Sequence, residues 1–527
     1  MLTQARIRLQ RAPVFTLALA AMVTAAVLLP PLYLVLRAAG EGSEIVSALT
    51  ATTTVRALVR TVLLTVTVTG TCIALAVPLA WLTVRTDLPL RGMWTVLLTL
   101  PLAIPSFVGG FIVVSALGPG GLLQDLLEPL GVERLPSIYG FRGAWLVLSV
   151  FSYPYIYLTV HAALSRMDPN LEEAARSLGK SAAETFLRVN LPQLRPAISA
   201  GAILVALYVL SEFGAVAMLR YDTLTPLVYI QYTTRFDRGY AAVLALPLIA
   251  LAVLFVTLDA ITRGGARYHG KGQRRTGRML RLGAWRWPAF VCCTLVAAIG
   301  AGLPVTVILY WLVRGLAEGE STSFAMEAVI NSARASGIAA LVAVGAALPL
   351  VILSVRYPGW ASGLLEKAAY AGLALPGITI ALALVFFAAT YLTPLYQTLS
   401  LLIFAYVIRF LPEALGACRS SMLQVNPNTE EAARGLGARP PRVFLRITAP
   451  QMLPGMSAGA LLVCLTAMKE LPITLLLSPI GFETLATQIW ASTTEAFFTR
   501  AALPSLILVI LSGAAVFLML RRERRER

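Results

Sequence analysis

Five charged residues interrupt stretches that are otherwise fit for hydrocarbon: Glu212 in "LYVLSEFGAVAML", Lys469 and Glu470 in "LLVCLTAMKELPITLLL", and Arg409 with Glu413 in "FAYVIRFLPEAL". A charge near the middle of a bilayer costs about 2.5–3.5 kcal/mol even on lenient insertion scales, so a residue kept there is a functional candidate. Carboxylates offer hard oxygen ligands to a passing cation. Lys469 and Arg409 offer positive charge to an anion or to a neighbouring carboxylate. Arg409 and Glu413 are one helical turn apart, a spacing at which they can also neutralise each other and only orient helices. Glu212 and Glu470 stand 258 residues apart, and that offset recurs elsewhere in the chain.

It recurs most clearly in two polar islands. "EEAARSLGKSAAETFLRVNLPQLRPAISAG" begins at Glu172 and "EEAARGLGARPPRVFLRITAPQMLPGMSAG" at Glu430, with 16 of 30 positions identical. Each copy reads as helix–turn–helix. Asp168 and Asn426 suit the N-cap, and Pro169 and Pro427 follow at the first helical position. Glu172, Glu173, Glu430 and Glu431 fall in the first turns, where carboxylates favour the helix dipole. Ala174, Ala175, Ala432 and Ala433 give a slim face that another surface can approach. Gly179 and Gly437 suit the left-handed residue that ends such a helix. A second short helix carrying "FLR" is expected to stop near Pro192 and Pro450. "ARSLGKS" ends like a phosphate-binding loop, but Ala174 stands where its first glycine is required, and no strand precedes it.

The elements that position these residues follow from composition. Of 527 residues, 58% are hydrophobic and 13% charged, against roughly 25% charged in soluble proteins. Apolar runs fall at about 13–36, 58–84, 94–117, 143–164, 197–219, 240–262, 287–313, 335–355, 368–390, 398–415, 455–479 and 500–520. Each is near the ~20 residues that cross a bilayer. The fold class is therefore an all-α polytopic membrane protein with twelve transmembrane helices. The basic start "MLTQARIRLQR" precedes a run too long for a signal peptide, which is read as a retained first span with a cytoplasmic N-terminus. With that orientation both repeated islands, the basic stretch Arg263–Trp287 and the tail "RRERRER" lie in the cytoplasm. The net charge of +17 is thus placed as membrane flanks, which argues against nucleic acid as a partner and for the lipid bilayer.

Further landmarks extend the duplication. "VPLAWLTVR" ending at Arg85 resembles "LPLVILSVR" ending at Arg356, and Pro105 and Pro154 correspond to Pro376 and Pro412. The chain divides into a first half, 1–262, with its island at 168–196; a basic linker, 263–286; and a second half, 287–527, with its island at 426–454. Six spans per repeat leave both copies in the same orientation, related by a pseudo-two-fold axis along the membrane normal. The five cysteines lie in or beside apolar runs without metal-ligand spacing and read as small buried hydrophobes. The two histidines, His161 and His269, read as interfacial.

The spacing E-A-A, then glycine four residues on, then a hydrophobic residue and proline, resembles the EAA loop of binding-protein-dependent ABC importer permeases. Glu173, Ala174, Ala175, Gly179, Val189, Leu191 and Pro192 carry it in the first copy. In the second copy Glu431, Ala432, Ala433, Gly437, Ile447 and Pro450 carry it, with Ala449 where leucine is usual. The resemblance implies that each loop is a coupling helix seated on one subunit of a cytoplasmic ABC ATPase homodimer. ATP and Mg²⁺ would be bound there, with no cofactor on this chain. It also implies an extracytoplasmic substrate-binding protein as partner, the bacterial cytoplasmic membrane as location, and no enzymatic activity of the chain's own.

The segments "SEFGAV", "KELPITLLL" and "FETLATQIW", with the fused two-half layout, resemble the ferric-iron importer permeases; Glu212 replaces the aspartate usual in the first. That resemblance implies Glu212 and Glu470 as transient oxygen ligands for ferric iron, with Lys469, Arg409 and Glu413 also along the path. Three alternatives stay open: a thiamine or other organic-cation importer, a sulfate or molybdate importer attracted by Lys469 and Arg409, and an ion-coupled secondary transporter. The last leaves two EAA loops unexplained. An integral-membrane enzyme finds no nucleophile–base or metal constellation.

Overall fold

A computed structural model describes residues 13–525, apart from 43, 132–134, 235–237, 263–278 and 321–322. Most of the basic linker, with His269, the first twelve residues and the end of the basic tail lie outside the described residues. The described chain is helical throughout, with one isolated β-bridge, Thr86 to Leu280. Among the described residues ten helices are long and apolar enough to cross a membrane, and two shorter apolar helices, Gly377–Tyr391 and Phe498–Ala514, complete the twelve spans.

Spans 3 and 9 begin later than their apolar runs. Span 3 is helical from Ser106, after Pro105, and span 9 from Gly377, after Pro376. Proline holds the residue before it out of the α region and supplies no N–H, so the apolar run breaks at the same point in both halves. Spans 5 and 11 start earlier than expected. The helix expected to stop near Pro192 and Pro450 instead passes through a π-turn, Phe186–Asn190 or Phe444–Thr448, straight into Leu191–Ser211 or Ala449–Met468. In the wider turn Pro192 and Pro450 fall in a new first turn, where a missing N–H costs nothing.

The chain packs as two compact units that do not coincide with the sequence halves. One comprises Met1–Val46, Phe236–Ile249 and Ser323–Gln488; the other Ser47–Arg235, Ala250–Thr322 and Ile489–Arg527. Each unit thus joins spans 2–5 or 8–11 of one half to outer spans drawn from the other. In the first unit, span 1 (Val14–Ala39) packs on span 8 (Ser323–Arg356) and span 9. In the second, span 12 (Phe498–Arg525) packs on span 7 and span 3.

At the centre of each unit three helices pack together: spans 2, 4 and 5 in one, spans 8, 10 and 11 in the other. Glycine sets the approach of the last pair. A Cβ on Gly201 would lie 2.8 Å from Ile156 Cα, and one on Gly459, its counterpart, 3.3 Å from Ala414 Cα. Such small-residue contacts let membrane helices close on one another without a hydrophobic driving force. Exposed side chains such as Leu36, Val59, Val66 and Leu341 give the spans an apolar exterior suited to lipid. Four cysteines are buried or half-buried, but Cys292 is exposed on span 7, which corrects the expectation that all five are buried.

Candidate functional site

The first polar island folds as a helix, Pro169–Ser177, whose N-cap Asp168 accepts a hydrogen bond from the Asn170 amide at 3.0 Å. The second repeats it over Pro427–Gly435, with Asn426 accepting from Asn428 at 3.0 Å. Both helices close identically. The Lys180 N–H reaches Ala175 O and the Ala438 N–H reaches Ala433 O, while Gly179 and Gly437 take φ of +80° and +82°. This is a Schellman ending, which glycine enters at no steric cost.

The paired glutamates of each helix point different ways. Glu173 and Glu431 are exposed, as are Ala174 and Ala432, whereas Ala175 is buried and Ala433 half-buried. Glu172 and Glu430 turn back to the chain's own body. Arg85 Nε lies 3.2 Å from Glu172 Oε1, and Asn190 Nδ2 donates to the same oxygen at 2.8 Å. In the second copy Arg356 grips Glu430 twice, Nε to Oε2 at 3.0 Å and Nη2 to Oε1 at 3.2 Å, and Thr448 Oγ1 donates at 2.8 Å. Each arginine also donates to the carbonyl just before the N-cap, Met167 O at 3.2 Å or Val425 O at 3.1 Å.

Span length explains how these arginines arrive. Spans 2 and 8 are each 34 residues long and end at Arg85 and Arg356. That is about 51 Å of helix against about 30 Å of hydrocarbon, so each runs on past the bilayer to the island. Two leucines complete the exposed face. Leu178 is 82% exposed and its counterpart Leu436 89%, each beside its terminating glycine.

The intramembrane carboxylates sit at breaks in helices. Span 5 ends at Ser211, Glu212 is extended, and a short helix restarts at Gly214. Span 11 ends at Met468 and restarts at Pro472. Glu212 is 7% exposed; its Oε1 accepts from the Ala215 N–H at 2.9 Å and its Oε2 from Ser106 Oγ at 2.6 Å. Ser106 is the first helical residue of span 3, so the carboxylate sits at two helix N-termini at once, where the dipoles favour it. Glu470 repeats the arrangement at Gly377, the first helical residue of span 9. A Cβ on Gly377 would lie 2.5 Å from Glu470 Oε1.

The remaining candidates gather in the second half only. Arg409 Nη1 donates to Gly372 O at 3.4 Å and to Leu375 O, the latter being the last carbonyl before Pro376. Thr466 Oγ1 donates to Glu413 Oε2 at 2.9 Å. Coulombic interactions link Arg409 to Glu470 and Glu413, and Lys469 to Glu413. The first half has Phe151, Tyr155 and Ser211 at the matching positions, and neutral donors surround Glu212. One copy therefore carries a lone carboxylate and the other two carboxylates with two cations. Among the described residues no three His, Cys, Asp or Glu side chains are grouped to hold a metal ion. His161, near the inner end of span 4, is buried beside Tyr157.

Sequence reasoning did not assign Arg85, Arg356, Asn190, Thr448, Leu178 or Leu436 to the site. Their signal was available in part: the two arginines end a repeated nine-residue landmark, and the leucines occupy the same place in both islands.

The whole chain is similar in sequence to known proteins. The family described as "Binding-protein-dependent transport system inner membrane component" matches twice, over residues 73–268 and 339–525. The chain is 35% identical over 497 residues to the Fe(3+)-transport system permease protein FbpB 2 of Haemophilus influenzae, covering 93% of this chain and 95% of that one. A probable molybdenum ABC transporter permease protein of Haloferax volcanii is 32% identical over 35% of this chain and 67% of its own length. The sulfate transport system permease protein CysT of Escherichia coli is 29% identical over 34% of this chain and 65% of its own.

Proposed function

We propose that this chain, which belongs to the family of binding-protein-dependent transport system inner membrane components, is the membrane-spanning subunit of an ATP-driven importer of ferric iron. The observation that carries the cargo is end-to-end similarity to an Fe(3+)-transport permease, where the molybdenum and sulfate relatives match about a third of the chain. The oxygen chemistry of Glu212 and Glu470 supports it, since ferric iron is a hard cation.

In this reading a loaded binding protein docks outside and ATP closes a homodimeric ATPase inside. Each of the two islands, one per ATPase subunit, carries that closure to the spans. Glu173, Ala174 and Leu178, with Glu431, Ala432 and Leu436, form the faces that meet the ATPase. ATP and Mg²⁺ are bound by that partner, and this chain binds no cofactor. The location is the bacterial cytoplasmic membrane with both termini inside. Ligand binding can shift the inward–outward equilibrium only through unequal affinity for the two states, so both islands must grip differently in the open and closed ATPase.

The cargo passes Glu212 and Glu470, whose oxygens replace part of its lost coordination shell, and the cations around Glu470 weaken the hold enough for release. Uptake of radioactive ferric iron, sulfate, molybdate and thiamine by cells with and without the chain tests this. Loss of iron uptake alone is expected. Loss of oxyanion or thiamine uptake with iron uptake intact would replace the cargo and keep the importer.

A further inference from the structure

The two glutamates that turn away from the exposed faces form the same three-way junction in both halves. Glu172 lies in the first turn of an island helix that continues from span 4; Arg85 ends span 2; Asn190 closes the π-turn that opens span 5. Glu430, Arg356 and Thr448 join span 10, span 8 and span 11 in the same way. The pairs are sheltered, with side-chain exposures of 12% and 13% for Arg85 and Glu172, and 15% and 6% for Arg356 and Glu430. The third partner differs between copies, amide in one and hydroxyl in the other, yet donates to the same carboxylate atom at 2.8 Å in both.

We infer that Glu172–Arg85 and Glu430–Arg356 are the struts through which movement of each island reaches the spans, so that these four are positioning residues and not ATPase contacts. The physical ground is connectivity. An exposed helix of nine residues, held only by its chain ends, would tilt in its groove without moving the bilayer portion. A carboxylate fastened at once to the end of a 34-residue span and to the start of another makes the island and those spans move as one body. Bidentate guanidinium–carboxylate contact, as Arg356 makes, also fixes orientation, which a single long contact does not. The arginine's further bond to the carbonyl before the N-cap fastens the helix start as well as its first turn.

The first junction carries one more attachment. Leu280 donates to Arg85 O at 2.9 Å and accepts from the Asp87 N–H at 3.1 Å, and the Leu282 N–H reaches Asp87 Oδ1 at 2.8 Å. The end of the inter-half linker is therefore laid directly along the residues that end span 2, which stiffens the Arg85 side of that strut.

This inference rests on the reading of the chain as an importer subunit, and its test separates the two. In proteoliposomes holding the permease with its ATPase, ATP hydrolysis is measured without and with the loaded binding protein. Stimulation in the unaltered complex tests the importer reading. For the struts, Glu172→Gln with Glu430→Gln is expected to leave co-purification of the ATPase and basal hydrolysis intact while reducing stimulation about tenfold, within the range typical of coupling between sites. Arg85→Gln with Arg356→Gln should do the same, and the two pairs of changes combined should be no worse than either, as groups acting through one contact are non-additive. Full stimulation in the glutamine variants overturns the proposal. So does loss of ATPase co-purification in the glutamate variants alone, which would put those side chains on the ATPase. If the glutamine variants do not accumulate, charge exchange at both junctions together, Arg85→Glu with Glu172→Arg and Arg356→Glu with Glu430→Arg, decides: recovered accumulation and stimulation support the strut, and no recovery overturns it.

Discussion

Ser106 donates a 2.6 Å hydrogen bond to Glu212, fastening the first turn of span 3 to the break in span 5. In the other half Gly377 takes the serine's place, and Glu470 lies directly against it. One half makes the junction with a hydroxyl and the other with an absent side chain.

That relationship yields the first prediction. Glutamine at 212 or 470 keeps the size and an acceptor for the Ala215 or Ile473 amide but removes the charge. Iron uptake should fall about 10- to 100-fold, the size of a lost charge-assisted contact, with assembly and ATP hydrolysis retained. Unchanged uptake in the double variant rules out a carboxylate path, and lost assembly assigns both residues to helix orientation. Separately, Gly377→Ala should cost about 1–3 kcal/mol through overpacking, read as thermal unfolding in detergent. That cost should vanish in a Glu470→Ala background.

The island helices give the second. Gly179→Leu and Gly437→Leu force a side-chain-bearing residue to positive φ, costing about 1–2 kcal/mol, although nothing lies within 4 Å of the added Cβ. The permease should insert normally while ATPase co-purification or stimulation drops. Asparagine, which tolerates the left-handed region, should largely restore both. Normal transport in both leucine variants would remove the islands from the coupling path.

Exchange of outer spans gives the third. Residues 1–262 alone lack spans 8–11, on which span 1 packs, and residues 263–527 alone lack spans 2–5, on which spans 7 and 12 pack. Neither half should accumulate in membranes when expressed singly, and co-expression should restore both. Stable accumulation of either half alone contradicts the exchanged packing.

Orientation gives the fourth. Reporters fused after Lys180 or Ala438 should read cytoplasm, and those near Glu320 or Glu483 the outside. An inverted result at Lys180 or Ala438 excludes contact with an ATP-hydrolysing partner.

Much of this was legible because it is local. Asp168, Pro169 and Gly179 specify a capped helix and its ending within a dozen residues, and their repetition at Asn426, Pro427 and Gly437 marks the duplication. The twelve apolar runs similarly gave the spans. The breaks beside Glu212 and Glu470 were not legible, because apolar residues continue on both sides and hydropathy does not distinguish one helix from two. Pro192 and Pro450 misled for a related reason: a π-turn absorbs a proline that local rules read as a stop. The direction of Glu172 and Glu430 depends on Arg85 and Arg356, far earlier in the chain, and no local pattern reports which of two adjacent glutamates faces inward. The exchange of outer spans between units is a purely tertiary fact.

The most direct test of the central claim is accumulation of ferric iron inside proteoliposomes containing the permease, its ATPase and the loaded binding protein. The account predicts accumulation that requires ATP, survives collapse of ion gradients, and is lost when the binding protein is omitted. Accumulation driven by an ion gradient without ATP would contradict it.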